Sequence, residues 1–120
     1  MRTVFAMCAL LSTACQSGGP RANTLTIQDV TKDTTIRLTK AQGNLSSSVS
    51  LRAVGTLDDS ATVTLRNPRQ PEKIYWQTWL LPSGRLDSLK QRFDYYDHDV
   101  DLIYSHERVS RGQLRITITY

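Results

Sequence analysis

The chain has 120 residues, 39% of them hydrophobic and 22% charged, with a formal net charge of +4. That length suits one globular domain. The positive excess is too small and too scattered to argue for nucleic-acid binding, and no GxSxG, HExxH, P-loop or GxGxxG signature interrupts the chain.

Met1-Arg2 is a short basic start, and the twelve residues from Thr3 to Ala14 carry no charge. A permanent membrane-spanning helix needs about 20 predominantly apolar residues, so this run is too short to cross a bilayer. A basic start, a brief apolar stretch and a small-residue exit describe an export signal, here residues 1–14, which is later removed. The run Leu11-Ser12-Thr13-Ala14-Cys15 resembles the lipobox of bacterial lipoproteins. That resemblance covers residues 11–15 alone. It implies that Cys15 is acylated, palmitate included, and becomes the mature N-terminus. The alternatives are ordinary secretion after Ser12-Thr13-Ala14, or a chain that stays in the cytosol.

Each acyl methylene buried in a membrane contributes about 0.8 kcal/mol, so two or more chains hold firmly where one holds marginally. In the lipoprotein resemblance, Gln16 stands where an aspartate would mark inner-membrane retention, which points to the outer membrane, facing the periplasm. With Cys8 lost in the signal and Cys15 lipidated, neither a disulfide nor a cysteine metal site can form. Losing Arg2 leaves a charge of +3, compatible with anionic envelope surfaces such as lipid headgroups or lipopolysaccharide phosphates.

Residues 15–22, with Gly18-Gly19-Pro20, read as a flexible tether, and residues 23–120 as the folded domain. From Asn23 on, the dominant signal is period-two alternation, the mark of half-buried strands. Leu25 and Ile27, with Val30 beyond them, mark the first strand, and Ile36 and Leu38 the second. Gly43-Asn44 breaks the pattern. Val49, Leu51 and Ala53 predict a third strand, with Gly55 allowing a bend or bulge near its end. Asp58-Asp59-Ser60 is a turn before Ala61, Val63 and Leu65, and the runs 48–57 and 61–67 are expected to form a hairpin.

A loop with two prolines, Asn67 to Glu72, leads to an apolar strand expected over Lys73–Leu81. There Ile74, Trp76 and Leu80 share one face, and Tyr75, Trp79 and Leu81 the other. In residues 84–93, Leu86, Leu89 and Phe93 fall at helical spacing with Ser83 as an N-cap; the same segment also fits a strand across a sheet edge. Val100, Leu102 and Tyr104 mark the next strand. A turn through Ser105–Gln113 precedes Leu114, Ile116, Ile118 and Tyr120. Seven or eight short strands, too close together for helical crossovers, predict an all-β fold, a small antiparallel β-sandwich.

Asp97, Asp99 and Asp101 would project from one side of an extended chain, as weak candidates for a hard cation such as Ca²⁺. An EF-hand counted from Asp97 would need glycine and glutamate where Leu102 and Arg108 stand, so the expectation is a solvated face near Arg92 and Arg108, with no metal and no cofactor. His98 and His106 are the chain's two histidines. Ser105-His106-Glu107 sets catalytic residue types side by side, but triads converge from distant segments. Trp76 and Trp79 must point opposite ways, so one is core. If the other is exposed, Tyr75, Tyr95, Tyr96 and Arg85 are its expected companions in a partner-binding patch, since aromatics and Arg anchor interfaces. The sequence therefore reads as a non-enzymatic, membrane-anchored envelope lipoprotein. It would serve as a binding or structural module for an envelope protein or an anionic envelope component, and bind no nucleic acid. The competing reading is an envelope hydrolase or metal-binding protein built on Asp97–Asp101 and His98.

Overall fold

In a strand, successive side chains point to opposite faces, so a period-two apolar pattern buries one face of a sheet against a second layer. The computed structural model describes residues 22–40 and 47–120. Within them the alternating runs become eight strands: β1 (Ala22–Ile27), β2 (Thr34–Thr39), β3 (Ser48–Leu57), β4 (Ala61–Arg66), β5 (Gln77–Leu81), β6 (Gly84–Asp94), β7 (Asp99–Ser105) and β8 (Gly112–Thr119). They form two four-stranded antiparallel sheets, sheet A in the order β1-β8-β3-β6 and sheet B in the order β2-β7-β4-β5. The fold is a small β-sandwich. The signal, Cys15, the tether as far as residue 21, and Gly43-Asn44 lie outside the described residues.

The core is made by the inward rows. Val49, Leu51, Ala53 and Leu57 of β3 face Ala61, Val63 and Leu65 of β4 and Val100, Leu102 and Tyr104 of β7, with Leu114, Ile116 and Ile118 of β8 beside them. Burying each large apolar side chain stabilises the fold by roughly 1.5–3 kcal/mol. Tyr104 buries its ring and satisfies its hydroxyl by donating to the Val30 carbonyl at 2.7 Å.

Two expectations need correction, and the choice left open for residues 84–93 is decided. The runs 48–57 and 61–67 do not pair with each other: β3 bonds to β6 and β8 in sheet A, β4 to β5 and β7 in sheet B. Between them Asp58 is held to the far loop. Its backbone N–H donates to Arg111 O, and its carboxylate accepts from the Ser110 N–H and hydroxyl. The three-residue turn thus becomes a corner from one layer to the other.

Residues 84–93 are strand β6, and the short helix is absent. The pairing of β3 with β6 slips between Ala53 and Gly55, so that Val54 faces both Asp87 and Ser88. The extra residue resets the alternation: Leu86 and Phe93 are buried and Leu89 is partly so, although seven positions separate Leu86 from Phe93. A β-bulge thereby imitates helical spacing. Ser88 takes a positive φ of 59° at this point.

The apolar strand is also shorter than expected. Lys73–Tyr75 is one 3₁₀ turn, closed by the Tyr75 N–H to Glu72 O and the Trp76 N–H to Lys73 O, and β5 starts only at Gln77. β5 buries Trp79 and Leu81, turns Leu80 outward, and pairs only with β4 among the described strands.

Candidate functional site

The aromatic residues divide between core and surface. Trp79 is core. Tyr95 is also buried, against the expectation of an exposed companion: its hydroxyl donates to Asp99 O, its N–H to Ser47 O, and Lys40 Nζ donates to its carbonyl at 2.7 Å. Burial, with the Asp97 carboxylate next in weight, pushes its phenol up to about 12. Trp76 is half-buried beneath Arg66 and Lys73, whose charged groups lie 5.9 and 5.7 Å from its ring, and its indole N–H donates to Pro71 O. Arg85 stands at the opposite end of β6, about 30 Å along the strand from Asp94, and does not join the aromatic patch.

Tyr75 and Tyr96 do come together. With Asn67, Gln70, Gln77 and Asp94 they line an open cleft of about 500 Å³ at one end of the sandwich. Pro71 starts the turn that presents Tyr75, and the end of β6 presents Tyr96, which is 82% exposed. Gln77 Nε2 donates to Asp94 O at 3.0 Å, tying β5 to β6 across the layers. Asp97 accepts from Asn67 Nδ2 and from the His98 N–H, and these bonds hold its carboxyl below the usual range. Ile74, Tyr75, Leu80 and Tyr96 are the large hydrophobics exposed among the described residues, and Leu80 and the Ile74-Tyr75 turn flank the open edge of β5. The outcome is an apolar rim beside an edge strand that no second strand pairs with among the described residues.

Asp99 and Asp101 share one face of β7 as expected, but each of the three aspartates is taken up by partners of its own. Asp101 is 2% exposed, not on a solvated face, and lies between Arg37 and Arg66 rather than near Arg92 or Arg108. It accepts from Arg37 Nε at 2.8 Å, Arg37 Nη2 at 3.2 Å and Arg66 Nη2 at 3.0 Å. The Arg37 bond, opposed by burial and helped by Arg66, holds its carboxyl below the usual value. Asp99 accepts from Thr39 Oγ1, and Arg69 lies 3.8 Å from Asp97. Among the described residues no three His, Cys, Asp or Glu side chains are grouped to hold a metal. His106 Nδ1 lies 2.5 Å from Asp33 Oδ1, and its N–H donates to the same oxygen. Its partner is a residue far away in sequence, not Ser105 or Glu107. His98 is exposed beside Asp97.

One feature escaped sequence reasoning. Sheet A turns Arg52 (β3), Lys90 and Arg92 (β6) and Arg115 (β8) to the same outer face; the first three line a shallow depression of about 630 Å³, and Arg115 shares a smaller one of about 210 Å³ with Arg52. Part of the signal was present, since Arg52 and Arg115 occupy water-facing positions in alternating runs, whereas Lys90 and Arg92 fall in the segment whose spacing was ambiguous. Which strands lie side by side was the missing fact.

No family model, no curated protein and no solved structure matches this chain.

Proposed function

We propose that the chain is an exported lipoprotein, anchored in the bacterial envelope through acylated Cys15, that works by binding another envelope protein at the open edge of β5. The observation carrying this reading is that Ile74, Tyr75, Leu80 and Tyr96, the large hydrophobics exposed among the described residues, lie on β5, in the turn before it or in the cleft at its start, and that β5 is an edge strand pairing with β4 alone among the described strands. An extended segment of a partner would add to β5 through main-chain hydrogen bonds, and its side chains would find Leu80 and the Tyr75–Tyr96 cleft. Exposed apolar groups concentrated in this way are characteristic of contact surfaces. Trp76, covered by Arg66 and Lys73, supports the turn from behind.

The test is site-specific photo-crosslinking in the native host, with the crosslinker placed at Leu80, at Tyr96, or at the exposed Arg108 of the β7–β8 loop. One discrete adduct from Leu80 and Tyr96 and none from Arg108 is expected. Adducts from none of the three, or from all equally, would overturn the binding reading. Mass spectrometry of the same preparation reports the Cys15 acyl groups.

A further inference from the structure

The two outer faces of the sandwich differ in how their charges are balanced. The strands of sheet B carry two cations, Arg37 and Arg66, and two acids, Asp99 and Asp101. Both arginines are spent on Asp101. The strands of sheet A carry five cations, Arg52, Arg85, Lys90, Arg92 and Arg115, against two acids. Those acids, Asp87 and Asp94, sit at the bulge and at the last residue of β6; β1, β3 and β8 have none. Among the described residues none of the five cations forms a salt bridge.

The arrangement is unfavourable for the isolated fold. Arg52 lies directly opposite Lys90, a like-charge pair of the kind that destabilises a sheet. Arg92 projects from the same face two residues from Lys90, about 7 Å along the strand. Four hydroxyls share this face with them, Thr24, Thr117 and Thr119, with Ser50 between Thr119 and Arg92, while Ala22 and Val54 are the small apolar positions of the same rows. Unpaired guanidinium and ammonium groups set among hydroxyl donors suit phosphate oxygens.

We propose that the outer face of sheet A, centred on Arg52, Lys90, Arg92 and Arg115, docks on the anionic phospholipid headgroups of the membrane that carries the Cys15 anchor. The choice of a membrane surface as occupant rests on the acylation reading and on where the chain enters the fold. The seven-residue path from Cys15 to Ala22 spans at most about 25 Å. It delivers the chain to β1, an edge strand of this same sheet. Ala22, Thr119, Ser50 and Arg92 form one row across sheet A, placing Arg92 about 15 Å from the entry point. A domain anchored there meets the headgroups with this face within reach. The cations then supply the second attachment signal that steadies a lipid anchor. Sheet A facing the bilayer leaves β5, in the opposite sheet, open to a partner.

The experiment is co-sedimentation of the full chain carrying Cys15→Ser, which cannot be acylated, with vesicles of phosphatidylcholine alone or mixed with phosphatidylglycerol. Binding to the mixed vesicles, absent with phosphatidylcholine alone and weakened by salt, is expected. Each cation replaced by glutamine should weaken it about fivefold, and R52Q/K90Q/R92Q/R115Q by more than about a hundredfold. Arg108→Gln, the same charge change away from sheet A, should leave it within about twofold, and circular dichroism confirms that each variant is folded. Equal binding to both vesicles, no binding to either at low salt, or an unaffected quadruple variant would overturn the proposal. Because the assay uses an unacylated chain, its outcome is independent of whether Cys15 is lipidated and of whether β5 finds a partner.

Discussion

Replacing Asp101 by asparagine should destabilise the domain by about 2 kcal/mol. The carboxylate is buried and accepts three charge-assisted hydrogen bonds, each worth about 1.5–3 kcal/mol when fully desolvated. Two of them come from Arg37, which is 61% exposed and is discounted to surface strength, about 0.5 kcal/mol each. The bond from Arg66, 32% exposed, keeps more of its value, about 1 kcal/mol. Asparagine preserves shape but leaves two guanidinium groups facing one neutral amide across β7. For a domain of this size the loss corresponds to a fall in melting temperature of about 10 °C.

The carboxyl's folded pKa lies below its ordinary value of 3.8, so its contribution is complete above that value and is lost as pH falls through the folded pKa. Thermal melts followed by circular dichroism from neutral to acid pH should therefore show the wild-type and D101N curves converging at the acid end. Adding Arg37→Gln to D101N should cost little more, because the interaction is already gone. If D101N melts with the wild type at neutral pH, or the two curves run parallel down to acid pH, the assignment of Asp101 as a structural hub is wrong.

Gly55→Ala should cost about 3 kcal/mol by urea unfolding, since an added Cβ would stand 2.0 Å from Gln113 O at a φ of +152°. Gly112→Ala, 2.1 Å from Thr56 O, should cost a similar amount. Trp79→Ala should lose about 3–4 kcal/mol, whereas Trp76→Ala, removing exposed cation–π contacts, should lose about 1 kcal/mol. Lys90→Glu should stabilise the fold by about 0.5 kcal/mol in calorimetry while weakening vesicle binding about 25-fold, a reversal of sign expected only if the Arg52–Lys90 repulsion is kept for a ligand.

Much of the core was readable from the sequence because burial on one face imposes a period of two. Val49, Leu51 and Ala53, then Ala61, Val63 and Leu65, then Leu114, Ile116 and Ile118, all point inward as that pattern requires. Alternation does not say which sheet a strand joins, and for that reason β3 and β4 looked like a hairpin. Nor does it survive an inserted residue: at Ser88 the bulge turned a strand into apparent helical spacing. In the candidate site, Tyr75 and Tyr96 were identified as surface companions, but Tyr95, one residue away, is core because its hydroxyl reaches Asp99 O. Asp101 looked solvent-facing because Arg37 and Arg66 lie far from it in sequence and arrive only through the pairings of β2 and β4 with β7.

The first strand of the domain is zipped to the last: Ala22 lies opposite Thr119, and β1 has no other partner in its sheet. Of the successive strands only β4 and β5 pair with each other, so almost no piece of either layer can close on its immediate neighbour as the chain emerges. Such a topology is slow to assemble. In a nascent chain of this kind, sheet A cannot close until β8, which pairs with both β1 and β3, has left the ribosome. The strand order thus acts as a timer, deferring closure of that layer until synthesis has passed β8.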